Sequence, residues 1–128
     1  MRKLLSVLAL LLAACASQPV PPDWQAAAYS GLKTFTADYL RGDNRLADFE
    51  FARARGELAR TGRFEQVARA ELVRCAVQVA SLEMNNCPGF AALAQDAGEA
   101  ERAYADFLAG NKSDAKLLPA HYAAVVSG

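Results

Sequence analysis

The stretch RFEQVARAELVRCAVQVASLE, Arg63 to Glu83, decides the fold. Phe64, Ala68, Leu72, Cys75, Val79 and Leu82 recur at spacings of three and four, which marks one face of an α-helix. A second set, Val67, Val73, Val77, Ala80 and Met84, widens that face over the C-terminal half. A helix apolar over so broad an arc is covered on more than one side. Residues 63–83 are therefore expected to form the central helix of a bundle.

Reading outward, the same period continues on both sides. A first helix is expected from Trp24 to Arg41, with Asp23 as its cap behind Pro22 and Gly42 closing it. A second runs from Asn44 to Arg60, capped by Asp43 and stopped at Gly62. Downstream, Asn85-Asn86-Cys87-Pro88-Gly89 breaks the chain. Shorter helices follow over Phe90–Asp96 and Glu99–Ala109, then a loop over Gly110–Ser113 and a last short helix beginning near Pro119. No period-two alternation is sustained, and Asn-Gly and Asp-Gly hairpin signals are missing. The expected fold is all-α: a small single domain over residues 23–128, built as a bundle of about five to six helices.

One internal echo bears on how the helices are arranged. ADYLRG (Ala37–Gly42) returns as ADFLAG (Ala105–Gly110) after 68 residues, twice the 34-residue period of tetratricopeptide-type hairpins. No copy falls near residue 71, and an aromatic-Leu-x-Gly helix end is a common stop signal. Both tetratricopeptide-like hairpins and shared helix-end chemistry remain open at this level.

The first eighteen residues follow a different logic. Arg2 and Lys3 precede an apolar run, Leu4 to Ala14, of eleven residues. A bilayer-spanning helix needs about 20 residues, so this run fits an export signal rather than a membrane span. Leu12-Ala13-Ala14-Cys15 then resembles the lipobox of bacterial lipoproteins: Leu, a small residue, Ala or Gly, then Cys. The resemblance covers residues 1–18 only. It implies a signal peptide over residues 1–14, cleavage before Cys15, a diacylglyceryl group on the Cys15 sulfur and acylation of the new amine. It further implies residence in the bacterial cell envelope. Ala16, where an aspartate favours inner-membrane retention in that class, points to the outer membrane, facing the periplasm. Each buried CH₂ contributes about 0.8 kcal/mol, and one chain anchors only marginally, so two or three chains on Cys15 would hold the protein to the bilayer. Residues 15–22, rich in proline and small polar residues, read as an extended tether.

Fourteen basic and fourteen acidic residues give a formal net charge of zero. Without Arg2 and Lys3, a chain starting at Cys15 carries 12 basic against 14 acidic residues, a net of −2. Such a balance argues against nucleic acid as a partner, because phosphate binding needs a clustered positive field.

With Cys15 assigned to lipid, Cys75 and Cys87 remain as an even pair. In an oxidising compartment such pairs tend to bridge. Residues 76–83 rise about 12 Å along a helix, a distance that a returning loop over residues 84–87 covers. A structural disulfide is expected, worth about 3 kcal/mol on the chain-entropy model. Free buried thiols, a redox-active pair and metal ligation are the alternatives. A redox pair more often shows Cys-x-x-Cys spacing, and two cysteines with the lone His121 fall short of a zinc site.

No catalytic constellation stands out. His121 lies in Pro119-Ala120-His121-Tyr122 without a nucleophile or orienting acid nearby in sequence, and reads as a solvated or hydrogen-bonded histidine. Ser6, Ser17 and Ser30 sit in no nucleophile elbow, and the eight glycines are scattered rather than gathered into a phosphate loop. Arginines 45, 53, 55, 60, 63, 69 and 74 alternate with acids at helical spacing, as in Glu50/Arg53, Glu57/Arg60 and Glu65/Arg69. That pattern makes a salt-laced solvated face, or, on a sharper reading, a groove for an anionic partner. Trp24, Tyr29, Phe35 and Tyr39 read as core, with Trp24 the one placed to touch headgroups or a partner.

Two functions follow as expectations. The first is a non-enzymatic lipoprotein, held to the bilayer through Cys15, that acts by contact with an envelope protein. It calls for no cofactor beyond the covalent lipid and for no metal. The second is an accessory domain holding a small ligand or peptide between its helices. It requires a concave pocket of several hundred Å³.

Overall fold

The structure, a computed structural model, describes residues 19–126. The signal segment, Cys15, Ser6 and Ser17 lie outside the described residues. Among the described residues the chain forms six α-helices, a short 3-10 turn and no strand. The helices are α1 (Asp23–Leu40), α2 (Asn44–Ala59), α3 (Phe64–Ala80), α4 (Pro88–Ala91), α5 (Glu99–Leu108) and α6 (Ala120–Val126), with the 3-10 turn at Ala94–Asp96 between α4 and α5. Ahead of them, residues 19–22 are exposed, with Val20 91% open to solvent.

The boundaries differ from the sequence reading where backbone bonds decide them. Asp23 is not the cap of α1: the Pro22 carbonyl already accepts from the Gln25 and Ala26 N–H groups, so Asp23 is the first helical residue. Its carboxylate stands at the positive end of the helix dipole. Asp43 does cap α2, its Oδ1 accepting from the Leu46 N–H at 3.2 Å. The expected helix over Phe90–Asp96 is two pieces, α4 and the 3-10 turn.

α3 stops at Ala80 rather than Glu83. Leu82 enters the left-handed region with φ 64°, and the Leu82 and Glu83 N–H groups bond back to the Val79 and Gln78 carbonyls, both at 2.9 Å. This double bond-back is a Schellman end. The same pair of bonds closes α1 through Gly42 and Asp43, and α5 through Gly110 and Asn111. The ADYLRG/ADFLAG echo is thus a shared helix end. Outside those bonds the copies differ, for Asp38 is buried and Asp106 exposed.

α1 and α2 are joined by a three-residue turn and lie side by side as an antiparallel pair. Their axes approach closely where Gly31 faces Ala54: a Cβ added at Gly31 would come within 2.8 Å of the Ala54 Cβ. Phe35, fully buried, fills the space beyond, its ring 5.2 Å from Phe51 and 5.7 Å from Tyr39. Burial, then the Glu83 carboxylate beside it, pushes the Tyr39 hydroxyl up to about 12.

α3 is the central helix, as its broad apolar arc requires. One side, through Val67, Ala70 and Val77, packs with Ala28, Phe35, Ala47, Phe51 and Leu58 of α1 and α2. The other side, through Ala68, Leu72 and Cys75, packs with Cys87, Phe90, Ala97 and Leu108. Several expected core positions are not in either cluster. Phe64, Leu82 and Met84 are exposed because they lie at or beyond the ends of α3, where no neighbouring helix reaches. Tyr29 of α1 is also exposed.

Candidate functional site

Between α1 and α5 the face of α3 is left uncovered, and there a trough opens to solvent. Its larger basin encloses about 650 Å³. The floor is Leu72, Val73, Ala76 and Val77 of α3; Thr36 of α1 forms one wall, and Ala100 and Tyr104 of α5 the other. Leu117, Leu118 and Pro119 close the end, on a loop pinned to α5 by the Ser113 hydroxyl, which donates to the Ala103 carbonyl at 2.9 Å. A second basin of about 400 Å³ continues towards the start of α1, lined by Pro22, Trp24, Ala28, Leu32, Arg63 and Gln66. Arg69 and Val73 border both basins, which makes them two ends of one trough along α3.

The polar side chains of the larger basin already have partners within the chain. Thr36 Oγ1 donates to the Leu32 carbonyl at 2.9 Å, as helical threonines commonly do. The Tyr104 and Tyr122 hydroxyls are 3.5 Å apart, and α6 seats the Tyr122 ring against Phe107, centroids 4.9 Å apart. Burial, followed by the Tyr122 hydroxyl, pushes the Tyr104 hydroxyl well above its ordinary value. Arg69 Nε donates to Glu101 Oε1 at 2.7 Å, bridging α3 and α5 over the edge of the trough. Burial pushes the Glu101 carboxyl up, but its own backbone N–H, the Arg69 guanidinium and the Gly98 N–H outweigh this and hold it below the ordinary 4.5.

The Arg69 bridge corrects the sequence reading, which paired Arg69 with Glu65. Glu101 offers a carboxylate only 16% exposed, and a bond to it is less diluted by water than a bond on the open face of α3. Glu50/Arg53 and Glu57/Arg60 do form. Arg55 and Arg74 are drawn instead to Glu71, a carboxylate 5% exposed, at 2.7 and 3.1 Å. Gly89 lies against that carboxylate so tightly that any Cβ there would collide with it. Arg74 also covers the Phe51 ring at 4.6 Å. Glu71 was not singled out in the sequence, because an acid inside a helical salt pattern looks the same buried or solvated. It serves as a clasp joining α2, α3 and the start of α4.

Cys75 and Cys87 are brought together, with Cα atoms 5.3 Å apart and sulfurs at bonding distance, 1.97 Å. Asn85 organises the intervening turn: its Oδ1 accepts the Cys87 N–H at 2.8 Å and its Nδ2 donates to Gln78 Oε1 at 2.9 Å. Cys15, the residue expected to carry lipid, lies outside the described residues. His121 is exposed on α6, its ring 4.1 Å from that of Tyr122. Trp24 is half-buried in the wall of the smaller basin, with the Arg63 guanidinium 5.7 Å over its ring.

The trough itself was not located in the sequence. Val73, counted there as core, is partly exposed on its floor, and Leu117, Leu118 and Pro119 come from a stretch with no helical period. Among the described residues no helix is long and apolar enough to cross a membrane, and no group of three or more His, Cys, Asp or Glu side chains could hold a metal ion. No family model matches the chain, and the comparisons with curated proteins and with solved structures found no match.

Proposed function

We propose that this chain is a lipid-anchored envelope protein whose helical domain acts by binding, with the trough along α3 as its binding site. The observation that carries the reading is the trough: an apolar basin of about 650 Å³ with its polar side chains already engaged. That volume is within the range of ligand sites, roughly 300–1,000 Å³. The lipobox-like Leu12-Ala13-Ala14-Cys15 supports the anchor, and the exposed residues 19–22 support a tether between anchor and domain. In this reading Cys75 and Cys87 form a lasting disulfide, as suits an oxidising compartment, and the domain performs no catalysis.

Three measurements test it. Intact mass of the chain extracted from membranes should show an N-terminus at Cys15, added acyl groups and one disulfide, and Cys15→Ala should release the protein into the soluble fraction. A photo-crosslinking residue at Val73 should give a discrete adduct in cells, lost when Ala76→Arg fills the trough. An unmodified full-length chain in the cytosol would refute the anchor. Adducts indifferent to Ala76→Arg would refute the site.

A further inference from the structure

We infer that the occupant of the trough is an amphipathic α-helix of about four turns belonging to a partner protein, with an acidic residue at the Arg63 end. The inference rests on the binding reading above and names the chemistry of what is bound.

Three observations narrow the occupant. The first is hydrogen bonding. An extended peptide laid along α3 would bring unpaired N–H and C=O groups against the larger basin, where Thr36, Tyr104 and Arg69 are already engaged. Burying such groups unpaired costs about 1–3 kcal/mol each. A helix satisfies its own backbone and meets no such cost.

The second is shape. The trough is open along its length rather than a tunnel, and Gln66, Arg69 and Glu101 line its edges. A bare hydrocarbon chain lying there would keep much of its surface in water. A helix with one apolar and one polar face matches both the floor and the opening. The floor from Arg63 to Val77 rises about 21 Å, which a helix of about fourteen residues spans.

The third is charge. Arg63 enters no ion pair among the described residues and rests on Trp24 at the tether end of the trough. Midway along the floor, where the two basins meet, Arg69 is neutralised by Glu101. The uncompensated cation therefore selects an acid at one end of the ligand and so sets its direction.

The test uses the full chain carrying Cys15→Ser, so that no acyl group competes for the trough. Fourteen-residue helices with randomised faces, displayed on a rigid scaffold, are selected against it, beside a library of extended, proline-containing peptides of equal length. Palmitate is titrated as a hydrocarbon probe. Trp24, the single tryptophan, reports occupancy by fluorescence. Enriched clones should be amphipathic helices with an acid near one end. Val73→Arg should weaken them by about tenfold or more, and Arg63→Glu should weaken the acid-bearing ones selectively. Enrichment of extended peptides, or saturation by palmitate with no helical clone, would overturn the helix while leaving the trough a binding site. Failure of every probe to bind would remove the binding reading itself.

Discussion

Leu82 holds φ at 64° with its side chain 86% exposed, so it strains the backbone without packing against anything. Gly42 and Gly110 fill the equivalent position at the ends of α1 and α5. A left-handed non-glycine residue costs roughly 1–2 kcal/mol, part of which glycine returns through its freer unfolded chain. Leu82→Gly should therefore raise stability by about 0.5–1 kcal/mol, seen as a higher urea midpoint at unchanged slope. Two helical glycines make the converse comparison. Gly56 has nothing within 4 Å of an added Cβ, so Gly56→Ala should stabilise by about 1 kcal/mol. Gly31→Ala carries the same gain in helix propensity but drives a methyl to 2.8 Å from Ala54 and forces α1 from α2. The net should be a loss of about 1–3 kcal/mol, and equal effects at both sites would show that the close approach does not matter.

At the scale of the elements, the three long helices were legible because period and punctuation agree. Asp43, Gly42 and Gly62 sit where the backbone turns, and their chemistry acts within a few residues. The end of α3 was misread because Leu82 is apolar and continues the stripe, while its backbone obeys the bonds from Val79 and Gln78. The Cys75/Cys87 pair was found from parity and reach. The Arg55–Glu71–Arg74 clasp and the Arg69–Glu101 bridge were missed, since tertiary neighbours decide them and helical spacing does not. The trough lay beyond reach for a related reason: a gap between helices has no residue pattern of its own. The turn between α3 and α4 yields a prediction at this scale. Cys87→Ser should cost about 3 kcal/mol in the oxidised protein, less once reductant is added to both forms, and equilibrium denaturation reads the difference directly. Asn85 and Gly89 should hold the turn near α3 even then, so the helical circular dichroism should stay close to native below the new midpoint.

On the scale of the whole molecule, α3 is, among the described residues, the one helix that gives buried side chains to both cores, with Leu93 packed against each, and the Arg69–Glu101 bridge ties its open face to α5. The Glu101 carboxyl is held below its ordinary 4.5, so the folded state binds fewer protons than the unfolded state as the pH falls past that value. Stability from the bridge is then complete above about pH 4.5 and is lost as the pH drops through the lower folded value. Glu101→Gln should flatten the acid limb of melting temperature against pH in that window. A limb as steep as that of the unsubstituted chain would mean the bridge contributes nothing. The placement of α3 has one more consequence. Because each half of the interior leans on the same rod, neither can loosen alone without baring the other, and amide deuterium uptake should register this. The α6 amides should exchange within local fraying, whereas those of Val67 to Val77 should wait for global unfolding and share one exchange free energy.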